Sequence, residues 1–188
     1  MRELFRSFSQ IEGFFGWMIG KISFADGEEI APVKAYIKKE KKNYAVLAAA
    51  EESVWLQIYI VNSHRKSVSG ESVLPVSGAG EEKEPKCVSL ADKSLLLERT
   101  FYSQEILDFV AEVQDDNWIH QTHKPVVPGL FLWEWLWQQG LLVQKGSMLF
   151  RSPAYAEEKI MVYIDRQTHH LLGIVGRNTG NVLLWEVS

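Results

Sequence analysis

The sequence has little cysteine, no excess of basic residues and no long apolar run. Its 188 residues include a single cysteine, Cys87, so neither a disulfide framework nor a thiolate metal site can form within one chain. The net charge of −4 argues against non-specific binding to DNA or RNA, which requires a basic surface. Residues 14–19 are apolar, but the stretch is too short to cross a bilayer and lacks a secretory pattern. These absences favour a cytoplasmic location, and they leave Cys87 as an incidental residue rather than a nucleophile.

The composition is that of a globular chain, since 46% of the residues are hydrophobic and 23% are charged. The length suffices for one ordinary domain or for two small ones of roughly 90 residues each. One basic run occupies residues 38–42, where Glu40 interrupts the lysines. We interpret this run as a solvated hairpin turn rather than a phosphate-binding patch.

The first half of the chain is predicted to be rich in strands. Hydrophobic residues alternate with polar and aromatic ones over residues 54–60, the period of a sheet with one buried face. Residues 33–37 and 44–47 flank the lysine run as a hairpin, and residues 68–76 return as a further strand.

A polar segment then separates two parts of the chain. Residues 77–93 carry Gly, Ser, Pro and charged side chains, a composition typical of linkers. We therefore predict an N-terminal half at residues 1–80, a linker at 81–94 and a C-terminal domain at 95–188.

The C-terminal domain begins with two predicted helices. Apolar residues at 106, 109, 110 and 113 have helical spacing, with Ser103 as the N-cap. Pro128 suits the first turn of a second helix, and Gly140 suits its end. Because that helix is apolar on nearly every face, we expect it to be buried, with strands covering it. The strands that follow are predicted at 147–150, 159–165, 170–176 and 182–187, with a hairpin turn at 177–181.

A polar cluster directly precedes the buried helix, and it suggests proton-transfer chemistry. Asp115 and His120 lie five residues apart in an Asx-rich segment, which tends to turn back on itself. Such a turn can bring a carboxylate and an imidazole to one point, where together they hold a water and move its proton. Gly129 opens the helix, whose first N–H groups can stabilise a thioester oxygen that gains negative charge. The pattern indicates addition or removal of water at an acyl thioester.

Other interpretations of the same residues stay open. Asp115, Asp116, His120 and His123 could bind a metal, although their spacing matches no strong signature. The Asp and Asn residues could simply cap a loop, with His120 a half-buried structural residue. His123, like His169 and His170, is expected to face solvent. The carboxylate of Glu134 points either to a solvent-exposed edge of the buried helix or into a site that raises its pKa.

The stretch FYSQEILDFVAEVQDDNWIH resembles the MaoC-like (R)-specific enoyl-CoA hydratases, which have the hot-dog fold. Their signature is G-D-x-N-P-(L/I/V)-H, preceded by an amphipathic helix. Asp115 matches the catalytic aspartate, Asn117 the asparagine and His120 the catalytic histidine. The chain departs from the signature at two positions, with Gln114 in place of the glycine and Trp118 in place of the proline.

The following stretch, HQTHKPVVPGLFLWE, is similar to the 3-hydroxyacyl-carrier-protein dehydratases of fatty-acid synthesis. Those proteins carry a P-x-x-P-G loop and a catalytic acid fourteen residues after the histidine, the spacing from His120 to Glu134. The working acid implied by the resemblance is thus Asp115 or Glu134, and the D-x-N-x-I-H pattern favours Asp115. The resemblance further implies that Asn117, Pro128 and Gly129 bind the substrate, with Gly129 as the backbone donor to the thioester carbonyl.

The resemblance implies an α+β hot-dog fold, in which an antiparallel sheet wraps around a buried central helix. The same resemblance implies a double hot dog, in which the N-terminal half is a degenerate copy of the fold. The implied reaction interconverts a trans-2-enoyl and a (R)-3-hydroxyacyl thioester, without a metal or redox cofactor. The partners are an acyl-CoA or acyl-carrier-protein substrate and, by analogy, a second copy in a homodimer, with no nucleic acid or membrane. The alternatives are a hot-dog thioesterase that uses Glu134, and a non-catalytic acyl-binding or partner subunit, which Trp118 favours.

Overall fold

The structure is a computed structural model that describes residues 1–26, 32–62, 87–142 and 144–188. The described strands form one antiparallel sheet, flanked by three α-helices. In chain order the elements are α1 (Arg2–Ser9), β1 (Trp17–Asp26), β2 (Val33–Lys41), β3 (Tyr44–Glu51), β4 (Val54–Asn62), β5 (Lys93–Thr100), α2 (Ser103–Glu112), a 3-10 turn (Trp118–His120), α3 (Gly129–Gln138), β6 (Lys145–Phe150), β7 (Lys159–Asp165), β8 (Leu171–Arg177) and β9 (Gly180–Val187).

The order of strands across the sheet is β2-β3-β4-β1-β6-β9-β8-β7-β5. Strands β1 to β4 come from the N-terminal half and the remaining strands from the C-terminal half. The pairing of β1 with β6 joins the two sets, with Lys21 opposite Leu149 and Phe24 opposite Gly146. Both halves therefore contribute to a single sheet.

Strand β4 has the predicted alternation, since Val54, Leu56, Ile58 and Ile60 are buried and the residues between them are half-buried. The lysine run was interpreted as a hairpin turn, and this is wrong for most of it. Strand β2 continues through Lys41, so only Lys42 lies in the turn that leads to β3.

The four predicted C-terminal strands are observed as β6 to β9, and the hairpin turn joins β8 to β9. Three elements were not predicted: helix α1 and strands β1 and β5. Lys93 opens β5, although the linker was predicted to extend to residue 94. The predicted strand at 68–76 lies outside the described residues, as does the linker up to residue 86.

Helix α3 is buried from Leu130 to Leu136. Pro128 is its N-cap, one position before the predicted first turn, since the N–H groups of Phe131 and Leu132 donate to the Pro128 carbonyl. Gly140 closes the helix as predicted, with a φ of +67° that favours glycine.

The core forms around the aromatic residues of α3. Trp133 packs edge-on against Phe5 of α1 and Phe24 of β1, with ring centroids 6.1 and 5.9 Å apart. On another side of the helix, Phe131 stacks on Phe109 of α2 at 4.5 Å. The helix is thus enclosed by elements from both halves of the chain. Within the described residues, no helix has the combination of length and apolarity that crossing a membrane requires.

Candidate active site

The end of helix α2 places the first site residue. The N–H of Asp115 donates to the carbonyl of Val110 at 2.9 Å, and the N–H of Gln114 donates to that of Ala111 at 3.3 Å. These two bonds form a Schellman motif, in which Gln114 has the left-handed φ of +57°. The hydratase signature that this stretch resembles has glycine at this position, and a left-handed backbone is the conformation that favours glycine.

The loop after α2 is held by Asn117. Its backbone N–H donates to Oδ1 of Asp115 at 3.0 Å, which forms an Asx turn. Its side-chain Nδ2 donates to the carbonyl of Trp17 in β1 at 2.9 Å. Asn117 therefore fixes the Asp115 carboxylate and also connects the loop to the N-terminal half.

His120 is buried, with 6% of its surface exposed. Its Nδ1 lies 2.7 Å from the carbonyl oxygen of Val126. Because a carbonyl can only accept a hydrogen bond, Nδ1 carries the proton and Nε2 keeps its lone pair in the neutral ring. Val126 is held in turn, since its own N–H donates to the carbonyl of Ile119 at 3.1 Å. The backbone thus fixes the tautomer of His120.

The free Nε2 of His120 faces Asp115, 3.6 Å from Oδ2. Burial lowers the pKa of His120 below its usual value, and the Asp115 carboxylate and the Val126 carbonyl partly oppose that shift. The imidazole is therefore neutral at pH 7, and its basic nitrogen lies beside a carboxylate. Such a pair can bind one water molecule and accept a proton from it.

The N-terminus of α3 lies at the same site. The N–H groups in the first turn of a helix have no partner within the helix, and they carry partial positive charge. A Cβ added to Gly129 would lie 3.1 Å from Cζ of Phe150 and 3.4 Å from Cβ of Ile19. The space beside the backbone at Gly129 is therefore narrow, and an added Cβ would require Phe150 to shift by a few tenths of an ångström.

A cavity of about 780 Å³ contains these groups. That volume lies within the range typical of small-molecule sites. Its lining includes apolar residues from α1, β1, β4 and β6. The predicted site residues that line it are Asp115, Asn117, His120, Pro128 and Gly129.

Glu134 is the predicted site residue that the structure separates from this group. Its carboxylate is buried and pairs with Arg2 of α1 at 2.7 Å, and it does not line the cavity. Burial raises the pKa of Glu134, an effect that Arg2 partly offsets and Glu112 reinforces. The guanidinium of Arg2 also lies 4.4 Å above the ring of Phe109. Glu134 is thus neutralised by a partner on the N-terminal helix, a contact that sequence reasoning missed.

The remaining polar residues of the cluster lie outside the pair. Asp116 lines the cavity but is exposed, and His123 and His169 are exposed as predicted, while His170 is half-buried. In the part of the chain that the structure describes, no three His, Cys, Asp or Glu side chains are grouped as metal ligands would be. Sequence reasoning also missed the carbonyls of Val126 and Trp17, since backbone acceptors leave no signal in the side-chain pattern.

Comparison with known proteins gives results only at the level of structure. No family model matches the chain, and no curated protein matches its sequence. HtdX from Mycobacterium tuberculosis superposes with a TM-score of 0.58 at 12% identity, over 99% of this chain and 82% of that one.

Two further solved structures have the same architecture. A MaoC-like dehydratase from Phytophthora capsici has a TM-score of 0.50 at 12% identity, over 95% of this chain and 71% of that one. An acyl-ACP thioesterase from Bacteroides thetaiotaomicron has a TM-score of 0.50 at 10% identity, over 91% of this chain and 74% of that one. These similarities establish the fold and leave the activity open, so the chain has the hot-dog fold.

Proposed function

We propose that this protein catalyses the reversible hydration of a trans-2-enoyl thioester to a (R)-3-hydroxyacyl thioester. The observation that carries the proposal is the pairing of a neutral imidazole, with Nε2 unprotonated, and the Asp115 carboxylate at 3.6 Å. A base and a carboxylate at this separation suit one shared water molecule.

In the proposed reaction each group of the site has its own role. His120 Nε2 and Asp115 orient the water, and Nε2 accepts a proton as the water oxygen bonds to C3 of the substrate. The thioester oxygen then carries negative charge, which the N–H of Gly129 stabilises at the positive end of α3. The Asp115–His120 pair returns the proton to C2, so that one water adds across the double bond. Asn117 positions the carboxylate through its hydrogen bonds to Asp115 and Trp17.

The comparisons support thioester chemistry without selecting the reaction, because similar structures include both dehydratases and thioesterases. The position of Glu134 favours hydration over thioester hydrolysis by that residue. Its carboxylate pairs with Arg2 and does not line the cavity, whereas an attacking water would have to reach the cavity. The non-catalytic alternative, an acyl-binding or partner subunit, predicts acyl-thioester binding without turnover.

The organisation of the chain belongs to the same proposal. Residues 95–188 form the catalytic hot-dog unit, around α3 as its central helix, and residues 1–80 a degenerate second unit. The N-terminal unit supplies β1, whose Trp17 carbonyl anchors Asn117 and whose Ile19 borders Gly129. No cofactor takes part in the proposed steps, since CoA or phosphopantetheine arrives with the substrate. A homodimer and a cytoplasmic location stay predictions.

The test is to incubate the purified protein with crotonyl-CoA and a longer trans-2-enoyl-CoA and to follow the loss of enoyl absorbance. A parallel assay measures thiol release from a saturated acyl-CoA. We expect hydration without thiol release, and its loss in His120→Ala. Thiol release without hydration would support the thioesterase, and binding without either reaction would support the non-catalytic subunit.

A further inference from the structure

One wall of the cavity follows the face of the sheet that is turned towards α3. Ile19 of β1 belongs to this face, since a Cβ added to Gly129 would lie 3.4 Å from the Cβ of Ile19. Ile19 pairs with Ile60 of β4. Ile58 lies two residues from Ile60, on the same face, and pairs with Leu47 of β3. These four apolar side chains all line the cavity, so the wall runs from Gly129 across β1, β4 and β3.

The wall ends after Leu47 and Ile58. Ala49 and Leu56 form the next pair on the same face. Both are buried, but neither lines the cavity. Another element therefore covers the face from this pair onwards.

Two hydrogen bonds locate helix α1 over this end of the sheet. The N–H of Leu4 donates to Oε2 of Glu51, the last residue of β3, at 3.2 Å. The N–H of Ala35 in β2 donates to Oγ of Ser7 at 3.3 Å. Helix α1 therefore lies where β3 ends, and it lies on the same face as α3, because its Phe5 also packs against α3.

Phe8 closes the cavity at the last turn of α1. It is buried and lines the cavity, whereas Leu4 and Phe5, the other buried residues of the helix, do not. The ring of Phe5 contacts Trp133 instead, with centroids 6.1 Å apart. Since hydrogen bonds to two strands hold the helix, the ring of Phe8 forms a fixed end to the apolar wall.

The distance from Gly129 to this end of the cavity sets a length. From Ile19 to Leu47 the wall crosses two strand spacings of about 4.8 Å and advances about 6.8 Å along the strands, which together give about 12 Å. An extended chain of carbon–carbon single bonds of about 1.5 Å advances about 1.25 Å per carbon. The wall therefore accommodates an extended chain of about eight to ten carbons.

We propose that Phe8 is a specificity-determining residue, which limits the substrate to acyl chains of about ten carbons or fewer. The thioester oxygen lies at Gly129, the chain follows Ile60 and Ile58, and its terminal methyl group meets the ring of Phe8. Each methylene that the cavity removes from water favours binding by about threefold to fourfold. A longer chain would have to displace the ring. The inference rests on the proposed function for its substrate chemistry.

The test measures how kcat/KM depends on chain length. The substrates are the trans-2-enoyl-CoAs with crotonyl, octenoyl, decenoyl and tetradecenoyl chains. The variants are Phe8→Ala and Phe8→Leu, and the matched controls make the same two changes at Phe5, which lies on the same helix but outside the cavity. Within each variant, the ratio of kcat/KM for tetradecenoyl-CoA to that for octenoyl-CoA is compared, because this ratio does not depend on the fraction of folded protein.

We expect kcat/KM of the wild type to rise from crotonyl-CoA to octenoyl-CoA and to fall about tenfold or more between decenoyl-CoA and tetradecenoyl-CoA. Phe8→Ala should raise the ratio about tenfold or more, because the space that the ring occupied becomes available to the chain. Phe8→Leu should raise it by a smaller factor, and both Phe5 variants should change it less than about twofold.

Three results would overturn the proposal: a wild type that accepts tetradecenoyl-CoA as well as octenoyl-CoA, a ratio unchanged in both Phe8 variants, or an equal change in the Phe5 variants. Binding of the corresponding saturated acyl-CoAs, measured by isothermal titration calorimetry, repeats the comparison without turnover. If binding shows the length limit and its dependence on Phe8 but no enoyl thioester is hydrated, only the proposed function fails. If hydration occurs without that dependence, only the role of Phe8 fails.

Discussion

Nε2 of His120 lies 3.6 Å from Oδ2 of Asp115, and the two groups are held by separate anchors. The Schellman motif at the end of α2 and the Asx turn fix Asp115. The carbonyl of Val126 fixes His120 through Nδ1 at 2.7 Å. The separation is too long for a direct hydrogen bond, so the pair is arranged to share a third atom.

The protonation state of His120 should appear in the pH profile of kcat/KM, which reports the free enzyme. Burial lowers the pKa of His120, so the base stays unprotonated as the pH falls through the ordinary histidine value of about 6.5. We expect kcat/KM for crotonyl-CoA to be constant between about pH 8 and about pH 7 and to decline only below about pH 6.5. An acid limb centred above neutral pH would contradict a buried, neutral imidazole.

Activity should be sensitive to a side chain at Gly129, the first residue of α3. In Gly129→Ala the new Cβ would lie 3.1 Å from Phe150, so Phe150 or the helix must move by a few tenths of an ångström. We expect kcat/KM to fall about tenfold or more, since small displacements of an oxyanion donor are costly, with little loss of stability. The control is Gly176→Ala, where the added Cβ meets no atom within 4 Å. Equal activity in the two variants would exclude the assigned role for Gly129.

The left-handed residue at the end of α2 offers a test of stability. Gln114 has a φ of +57°, which costs an ordinary residue roughly 1–2 kcal/mol, while glycine loses about 0.5–1 kcal/mol through its freedom in the unfolded chain. Gln114→Gly should therefore stabilise the protein by up to about 1 kcal/mol, measured by urea unfolding. Gln114→Ala keeps the strained backbone and should give no gain. If both variants behave alike, the conformation of residue 114 differs from that described.

Much of this arrangement follows from local patterns in the sequence. The alternation in β4 and the apolar run of α3 each identify their element, because burial imposes a period on neighbouring residues. The Asx-rich segment likewise predicts that Asp115 and His120 meet, since the turn that joins them is local.

The missed elements lack such patterns. A register shift between Ile19 and Lys21 interrupts the alternation of β1, and β5 is an edge strand that leaves Leu95 and Leu96 exposed. Helix α1 has only eight residues, and at that length its stability comes from packing rather than from propensity. The contact between Arg2 and Glu134 joins residues far apart in the chain, which no local pattern records.

That contact should matter for stability. Removing Arg2 leaves the Glu134 carboxylate buried without its cation, so Arg2→Met should destabilise the fold by about 2–4 kcal/mol in urea unfolding at pH 7. Because burial already raises the pKa of Glu134, the loss should shrink as the pH falls and the carboxyl becomes protonated. Combining Arg2→Met with Glu134→Gln should restore most of the stability. A double variant as unstable as the sum of the single ones would show that the two residues do not interact.

The most direct measurement compares the loss of activity when each of the two carboxylates that could act with His120 is replaced. Asp115→Asn and Glu134→Gln are nearly isosteric changes of the same kind, assayed for hydration of crotonyl-CoA after circular dichroism has verified the fold. We expect Asp115→Asn to lower kcat by about 10²- to 10⁴-fold, and Glu134→Gln to retain activity within about tenfold. Retained activity in Asp115→Asn together with its loss in Glu134→Gln would contradict an active site built on the Asp115–His120 pair.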